Sequence, residues 1–225
     1  MSVLSDFPPH AVLALACFLS LSTLQQTAAQ ADSPVDRHQV KIKPMFAFAG
    51  ETEGEWEGGA SGKIEHDNLA TLGVGASYEY PLHRYVTVGG LFAFYSFNTE
   101  ELDDDKNDRS TGLSFDVLIR GRYPLVNDRL ELYAQLPVGL SVTIPNSDFE
   151  DYQGVTEAVA GVSWNIALEV GAQYFFTDSI GALVELGWVH RGVSFELEYS
   201  GGGKNGEFSG ASDQFALNVG VVLAF

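Results

Sequence analysis

From residue 40 onward, apolar and polar side chains alternate one by one along the chain, and the helical period of 3.6 is absent. The clearest run covers 158–176. Ala160, Val162, Trp164, Ile166, Leu168, Val170, Ala172, Tyr174 and Phe176 take one parity, while Gly161, Ser163, Asn165, Ala167, Glu169, Gly171, Gln173 and Phe175 take the other. Successive strand side chains point to opposite faces, so this is a ribbon with an apolar side and a small or polar side. The alternation recurs over Leu72–Tyr80, Leu113–Ile119, Leu130–Val142, Ile180–Trp188 and Phe215–Phe225. Two more segments, about 40–49 and about 85–97, read as less regular strands. In the second both parities are apolar, and Val86, Val88, Phe92 and Phe94 are assigned outward.

These segments make eight strands, and their connections alternate in length. Short turns fall at Pro81–Arg84, Pro124–Asp128 and Phe176–Ser179, and long polar loops at about 50–68, 98–112, 145–157 and 196–211. An even strand count with short turns at one end and long loops at the other fits an all-β fold, a closed antiparallel eight-stranded transmembrane up-and-down barrel over 40–225. Both termini then lie on the periplasmic side. A soluble sandwich or lipocalin-type barrel also alternates, but it buries its apolar face and shows charge outside. Here the apolar faces are long and end in Tyr78, Tyr80, Tyr123, Tyr174, Phe176 and Trp188, where membrane barrels carry aromatic girdles, and the opposite faces are polar. Polarity therefore favours the membrane.

Residues 1–31 read as a secretory signal. Ala11–Leu24 supplies an apolar stretch too short for a spanning helix, and Ala29-Gln30-Ala31 a small-x-small cleavage site, leaving 32–39 as a short N-terminal segment. The first ten residues depart from type, with His10 but no Lys or Arg. Ala14-Leu15-Ala16-Cys17 raises a lipoprotein reading, disfavoured because the apolar stretch runs on past the cysteine. Cleavage after Ala31 removes the one cysteine, so disulfides and cysteine metal sites drop out.

The formal net charge of −18 makes nucleic acid an improbable partner, since phosphate neutralisation needs Lys and Arg. Nineteen of the thirty acids lie in the four long loops, with four basic residues beside them. The charge is therefore concentrated on the expected cell surface.

The last segment, Gln214-Phe215-Ala216-Leu217-Asn218-Val219-Gly220-Val221-Val222-Leu223-Ala224-Phe225, resembles the final strand of bacterial outer-membrane proteins. The stretch Gly171–Gly181 resembles the strand–turn–strand of OmpA/OmpX-like eight-stranded barrels. The resemblance implies an integral outer-membrane location in a Gram-negative envelope and the barrel-assembly machinery as a partner in biogenesis. Phe225 would be the terminal anchor of that signal, with Phe215, Leu217, Val219, Val221 and Leu223 as its outward set. No segment resembling the separate periplasmic wall-binding domain of full OmpA proteins is expected beside the barrel, so the resemblance implies no tethering role.

Charges on the polar parity are the first candidate site: Glu79, Asp116, Arg120, Arg122, Glu131, Glu169, Glu185 and Arg191. A turn centred on Val126–Asn127 places Arg122 directly across from Glu131. Glu169 and Glu185 fall close together, and two neighbouring carboxylates need a cation, with Arg120 or Arg191 in reach. Side chains can fill an eight-stranded lumen, so these groups read as a structural ion-pair plug, with a narrow ion path as the alternative.

In the loops, Asp103, Asp105 and Asn107 place oxygen ligands at alternate positions, as an EF-hand loop begins. The glycine at its sixth place and the glutamate at its twelfth are missing. A divalent cation such as calcium or magnesium, bridging loop carboxylates to lipopolysaccharide phosphates, is the only cofactor suggested. Trp56, Phe149 and Tyr152 read as caps on the barrel mouth, with adhesion contacts as the alternative. No catalytic constellation is found: His190 and Ser194 share a face but lie about 13 Å apart along an extended strand. His38, His66 and His83 lie apart from any such pair. The expected protein is a monomeric, non-enzymatic barrel with a structural or surface-interaction role, embedded in outer-membrane lipid, with a small pore for ions or solutes as the alternative.

Overall fold

The computed structural model describes residues 33–57, 62–67, 70–97, 109–145, 155–199 and 205–225. The expected signal with Cys17, the cation ligands Asp103, Asp105 and Asn107, and the loop aromatics Phe149 and Tyr152 lie outside them. A short 3₁₀ turn, Pro34–Asp36, precedes nine strands: β1 Gln39–Glu57, β2 Gly62–Asp67, β3 Thr71–His83, β4 Val86–Phe97, β5 Ser110–Leu125, β6 Leu130–Ile144, β7 Val155–Phe175, β8 Ile180–Tyr199 and β9 Asn205–Ala224. Each pairs antiparallel with its neighbours, and β9 pairs back to β1, which closes the sheet.

The ring has eight strands, because β2 and β3 are one strand interrupted. Both pair with β1 in a single continuous register, Glu51↔Asp67 above and Ala47↔Thr71 below. The interruption faces a β-bulge in β1, where Ala49 has φ 48° and the register to β9 shifts between Phe48 and Gly50. A bulge adds one residue to one strand, so side chains beyond it change faces. Below it Lys41, Lys43 and Ala47 point in; above it Thr52 and Gly54 do, and Glu51, Glu53 and Glu55 point out.

The outward parity is the one the alternation assigns. Val86, Phe92, Phe94, Val117, Leu140, Trp164, Leu186 and Phe215 are all exposed on the outer wall. The apolar band ends at one height. Phe48, Phe215 and Trp188 are lateral partners on β1, β9 and β8, and the next outward row is Glu51, Asp213 and His190. A tilted strand crosses a bilayer in about 9–11 residues. Strands β7, β8 and β9 run 20 residues or more, so they continue beyond the membrane. At the other end Tyr80, Tyr85, Tyr123, Tyr174, Phe176 and Phe225 form an exposed aromatic ring, with Tyr85 and Tyr123 stacked at 6.4 Å.

Several expected connections are corrected. The segments 51–57, 62–67, 110–112, 155–157, 196–199 and 205–211, read as loop, are strand. Trp56 and His66 thus belong to β1 and β2. Strand β3 runs through Pro81 to His83, so its turn is Arg84–Tyr85. Strand β5 runs through Pro124 to Leu125, and the turn occupies 126–129. There Val126, Asn127 and Asp128 all take left-handed φ of 49–60°, and the Arg129 amide donates to the Val126 carbonyl at 3.2 Å.

Candidate functional site

Every expected lumen charge points inward, none more than 8% exposed: Glu79, Asp116, Arg120, Arg122, Glu131, Glu169, Glu185 and Arg191. They form two groups at different heights. The lower group is centred on Arg120 of β5. Its guanidinium lies 3.8 Å over the ring of Tyr133 and bonds Gln135 Oε1 through Nε at 2.9 Å. It also reaches Glu79 at 3.0 Å, Glu185 at 3.5 Å and Glu131 at 3.8 Å. These contacts join β3, β5, β6 and β8 across the lumen.

Two cations of this group lie on the irregular first strand and were missed in the sequence. Lys41 pairs with Glu79 at 3.0 Å. Lys43 sits between Glu169, at 3.4 Å, and Glu185, which it contacts directly. Lys43 is thus the cation the two neighbouring carboxylates need, and Arg120 supplements it. Arg191 does not take part. The Tyr133 hydroxyl donates to Glu185 Oε1 at 2.8 Å, and Asn218 Nδ2 donates to Glu169 Oε1 at 2.9 Å and Glu185 Oε2 at 3.2 Å. With Arg122 paired to Glu131 at 3.5 Å, four cations face four glutamates. Burying ions is costly unless they are paired and hydrogen-bonded. Every charge in this layer is paired, but Lys41 Nζ and both Glu131 carboxylate oxygens are held by ion-pair contacts alone, without a hydrogen bond.

Arg122 and Glu131 are close but not directly opposite. Arg122 faces Tyr133 and Glu131 faces Pro124, because the four-residue turn shifts the register by two residues from the expected one. The Arg122 side chain reaches its partner diagonally.

The upper group is smaller. Arg191 lies 4.5 Å over Tyr95 and donates to Gln214 Oε1 at 3.2 Å, while Asp116 accepts from Asn165 and from Ser114 at 3.3 Å. Between the two groups lies a thin layer of small apolar side chains, Ala47, Ala167, Val189 and Ala216. Each large inward ring lies beside a glycine of the adjacent strand. A Cβ on Gly171 would approach the Tyr133 ring to 2.7 Å, and one on Gly112 the Tyr95 ring to 2.2 Å. Bare backbone there leaves room for the two rings that carry the arginines.

On the outer wall, His190 lies between Trp164 and Trp188, at 4.9 and 5.8 Å, with Nδ1 3.0 Å from Asp213. The Ser194 hydroxyl donates to the Val162 carbonyl at 3.0 Å. The two side chains have separate partners. Among the described residues, no group of three or more His, Cys, Asp or Glu is placed to hold a metal ion. Phe215, Val219, Val221, Leu223 and Phe225 are exposed along the outer face of β9, and Leu217 is half-buried on the same parity.

A closed antiparallel ring with a polar, side-chain-filled lumen and an apolar belt between aromatic rings defines the class: a small integral outer-membrane β-barrel. The chain matches the model of the outer membrane protein beta-barrel domain over residues 13–225, and it belongs to that family. Among solved structures it is similar to the outer membrane protein OprG from Pseudomonas aeruginosa, with 14% identity, TM-score 0.62, and 84% of this chain and 96% of that one covered. It is also similar to the outer membrane protein AlkL, solved in DMPC bilayers, with 14% identity, TM-score 0.55, and 89% and 96% covered. At such identity the likeness concerns the fold. No curated protein matches the chain.

Proposed function

We propose that this protein is a sealed, non-enzymatic outer-membrane barrel whose role is structural or is exercised at the cell surface by the strand extensions. The observation that carries this is the charge-balanced layer of Lys41, Lys43, Arg120, Arg122 and their four glutamates, which links strands on all sides of the lumen. A passage for small solutes would have to break that layer. Its short-turn end, with both termini, faces the periplasm, and the extensions bearing Glu51, Glu53, Glu55 and Asp213 face outward. A non-enzymatic reading is supported by His190 and Ser194 having separate partners on the outer wall. Liposomes carrying the folded barrel should swell in arabinose no faster than protein-free liposomes. Swelling that scales with the amount of protein would favour the pore alternative.

The outward carboxylates begin directly above the aromatic row, at the height of lipid phosphates, which they repel unless a cation intervenes. A divalent cation bridging the acidic extensions to lipopolysaccharide fits this charge distribution. Calorimetric titration of calcium into the barrel folded with lipopolysaccharide should show saturable heat that disappears with EDTA. A flat titration removes the cation from the account.

A further inference from the structure

The segment before β1 does not hang free of the barrel. Pro34 and Val35 are buried, and Val35, with no exposure at all, packs against Phe175, Leu183, Val222 and Ala224. Those four side chains come from β7, β8 and β9. The Val35 carbonyl accepts a bond from Arg122 Nη1, and Asp36 lies 3.4 Å from Arg122 Nη2. Arg122 belongs to β5, which stands across the eight-strand ring from β9. One short segment therefore touches opposite walls of the lumen and crosses the mouth at the short-turn end.

Its conformation is fixed at both sides of that crossing. Proline presets φ for the tight turn, which closes through the Asp36 amide and the Ser33 carbonyl at 3.0 Å. Arg37 donates to the Asp178 carbonyl in the β7–β8 turn at 3.1 Å. The Phe225 amide donates to the His38 carbonyl at 3.0 Å, which ties the segment to the end of β9. Arg122 also donates to the His83 carbonyl at 3.1 Å and pairs with Glu131, so one guanidinium joins the segment to the lumen charges.

We propose that Ser33–Arg37 is a stopper that seals the short-turn mouth, with Val35 as its apolar tip and Arg122 as its latch. The buried layer of Lys41, Lys43, Arg120 and the glutamates then has an apolar lid on this side, matching the small apolar layer above it. An apolar lid keeps water from the ion pairs and so strengthens them. The stopper is held by one turn and a few polar contacts rather than by a sheet ladder, so it can leave while the barrel stays closed as a ring.

The test is thiol accessibility behind the lid. Val222, fully buried under Val35, is replaced by cysteine in a Cys17→Ser background, and the folded barrel in detergent is treated with a small cationic methanethiosulfonate reagent. With the native stopper, labelling should be slow. Adding Val35→Asp, which alters the tip and no residue of the wall, should speed it by about tenfold or more, about the factor that a loss of 1.4 kcal/mol of closure would give. A cysteine at the exposed turn residue Val126 should label equally fast in both backgrounds. Heat-shifted gel migration shows that each variant has folded. If Val35→Asp does not fold, Val35→Gly takes its place and should show the same acceleration. Equal labelling of Val222→Cys with and without the altered tip, in folded protein, overturns the stopper.

Discussion

Arg120→Ala is expected to lower the stability of the folded barrel by about 3–5 kcal/mol, the usual cost of removing one partner from a buried charge cluster. The guanidinium is the shared neighbour of Glu79, Glu185 and Glu131, and it covers the face of Tyr133. Its removal leaves an excess of buried negative charge and an uncovered ring. Some of the loss is offset if water enters the vacated polar space. Arg120→Lys should recover only part, because an ammonium cannot stack flat on Tyr133 while also meeting several carboxylates in one plane. Urea unfolding in lipid vesicles, followed by the heat-sensitive gel shift, reads both variants. Midpoints equal to wild type would mean that the cluster contributes little to holding the barrel together.

Lys43→Met is expected to cost a similar amount, about 3–5 kcal/mol, for a different reason. Glu169 and Glu185 both depend on this ammonium, and without it two carboxylates share a dry site with Arg120 alone nearby. Adding Glu185→Gln removes one of the competing charges and keeps an amide oxygen for the Tyr133 hydroxyl. The double variant should therefore be more stable than Lys43→Met alone. Residues in one network show such non-additive coupling, and a double-mutant cycle measures it. If the two losses simply add, Lys43 and Glu185 do not act as a pair.

Most of the barrel is legible in the alternation, because a lipid-facing side chain must be apolar and its strand neighbour faces the lumen. The signal fails where that contrast disappears. Beyond the bilayer the outer face is wet as well, so Glu51-Thr52-Glu53-Gly54-Glu55 is polar on both sides and reads as loop, although it is strand. The lumen charges on regular strands are likewise visible from parity alone. Lys41 and Lys43 are not, because residues 45–49, Met-Phe-Ala-Phe-Ala, are apolar on both parities and leave the first strand without a clean alternation before the bulge at Ala49. Residues 40–44 alone would have found them, since Lys41 and Lys43 alternate there with Val40, Ile42 and Pro44. The Arg122–Glu131 offset has another source: β5 runs on through Pro124 and Leu125, which read as turn, so the turn at 126–129 is centred one residue later than Val126–Asn127 and the pairing moves by two. The stopper is local and short, with no periodicity to read.

The most direct measurement is ion conductance of the purified, folded barrel in a planar lipid bilayer, recorded across positive and negative voltages in molar potassium chloride. A lumen closed by the Lys43–Glu185–Arg120 layer predicts a flat baseline with no unitary steps, however much protein is inserted. Reproducible steps of one size that persist in wild-type protein would contradict a sealed barrel and establish an ion path through it.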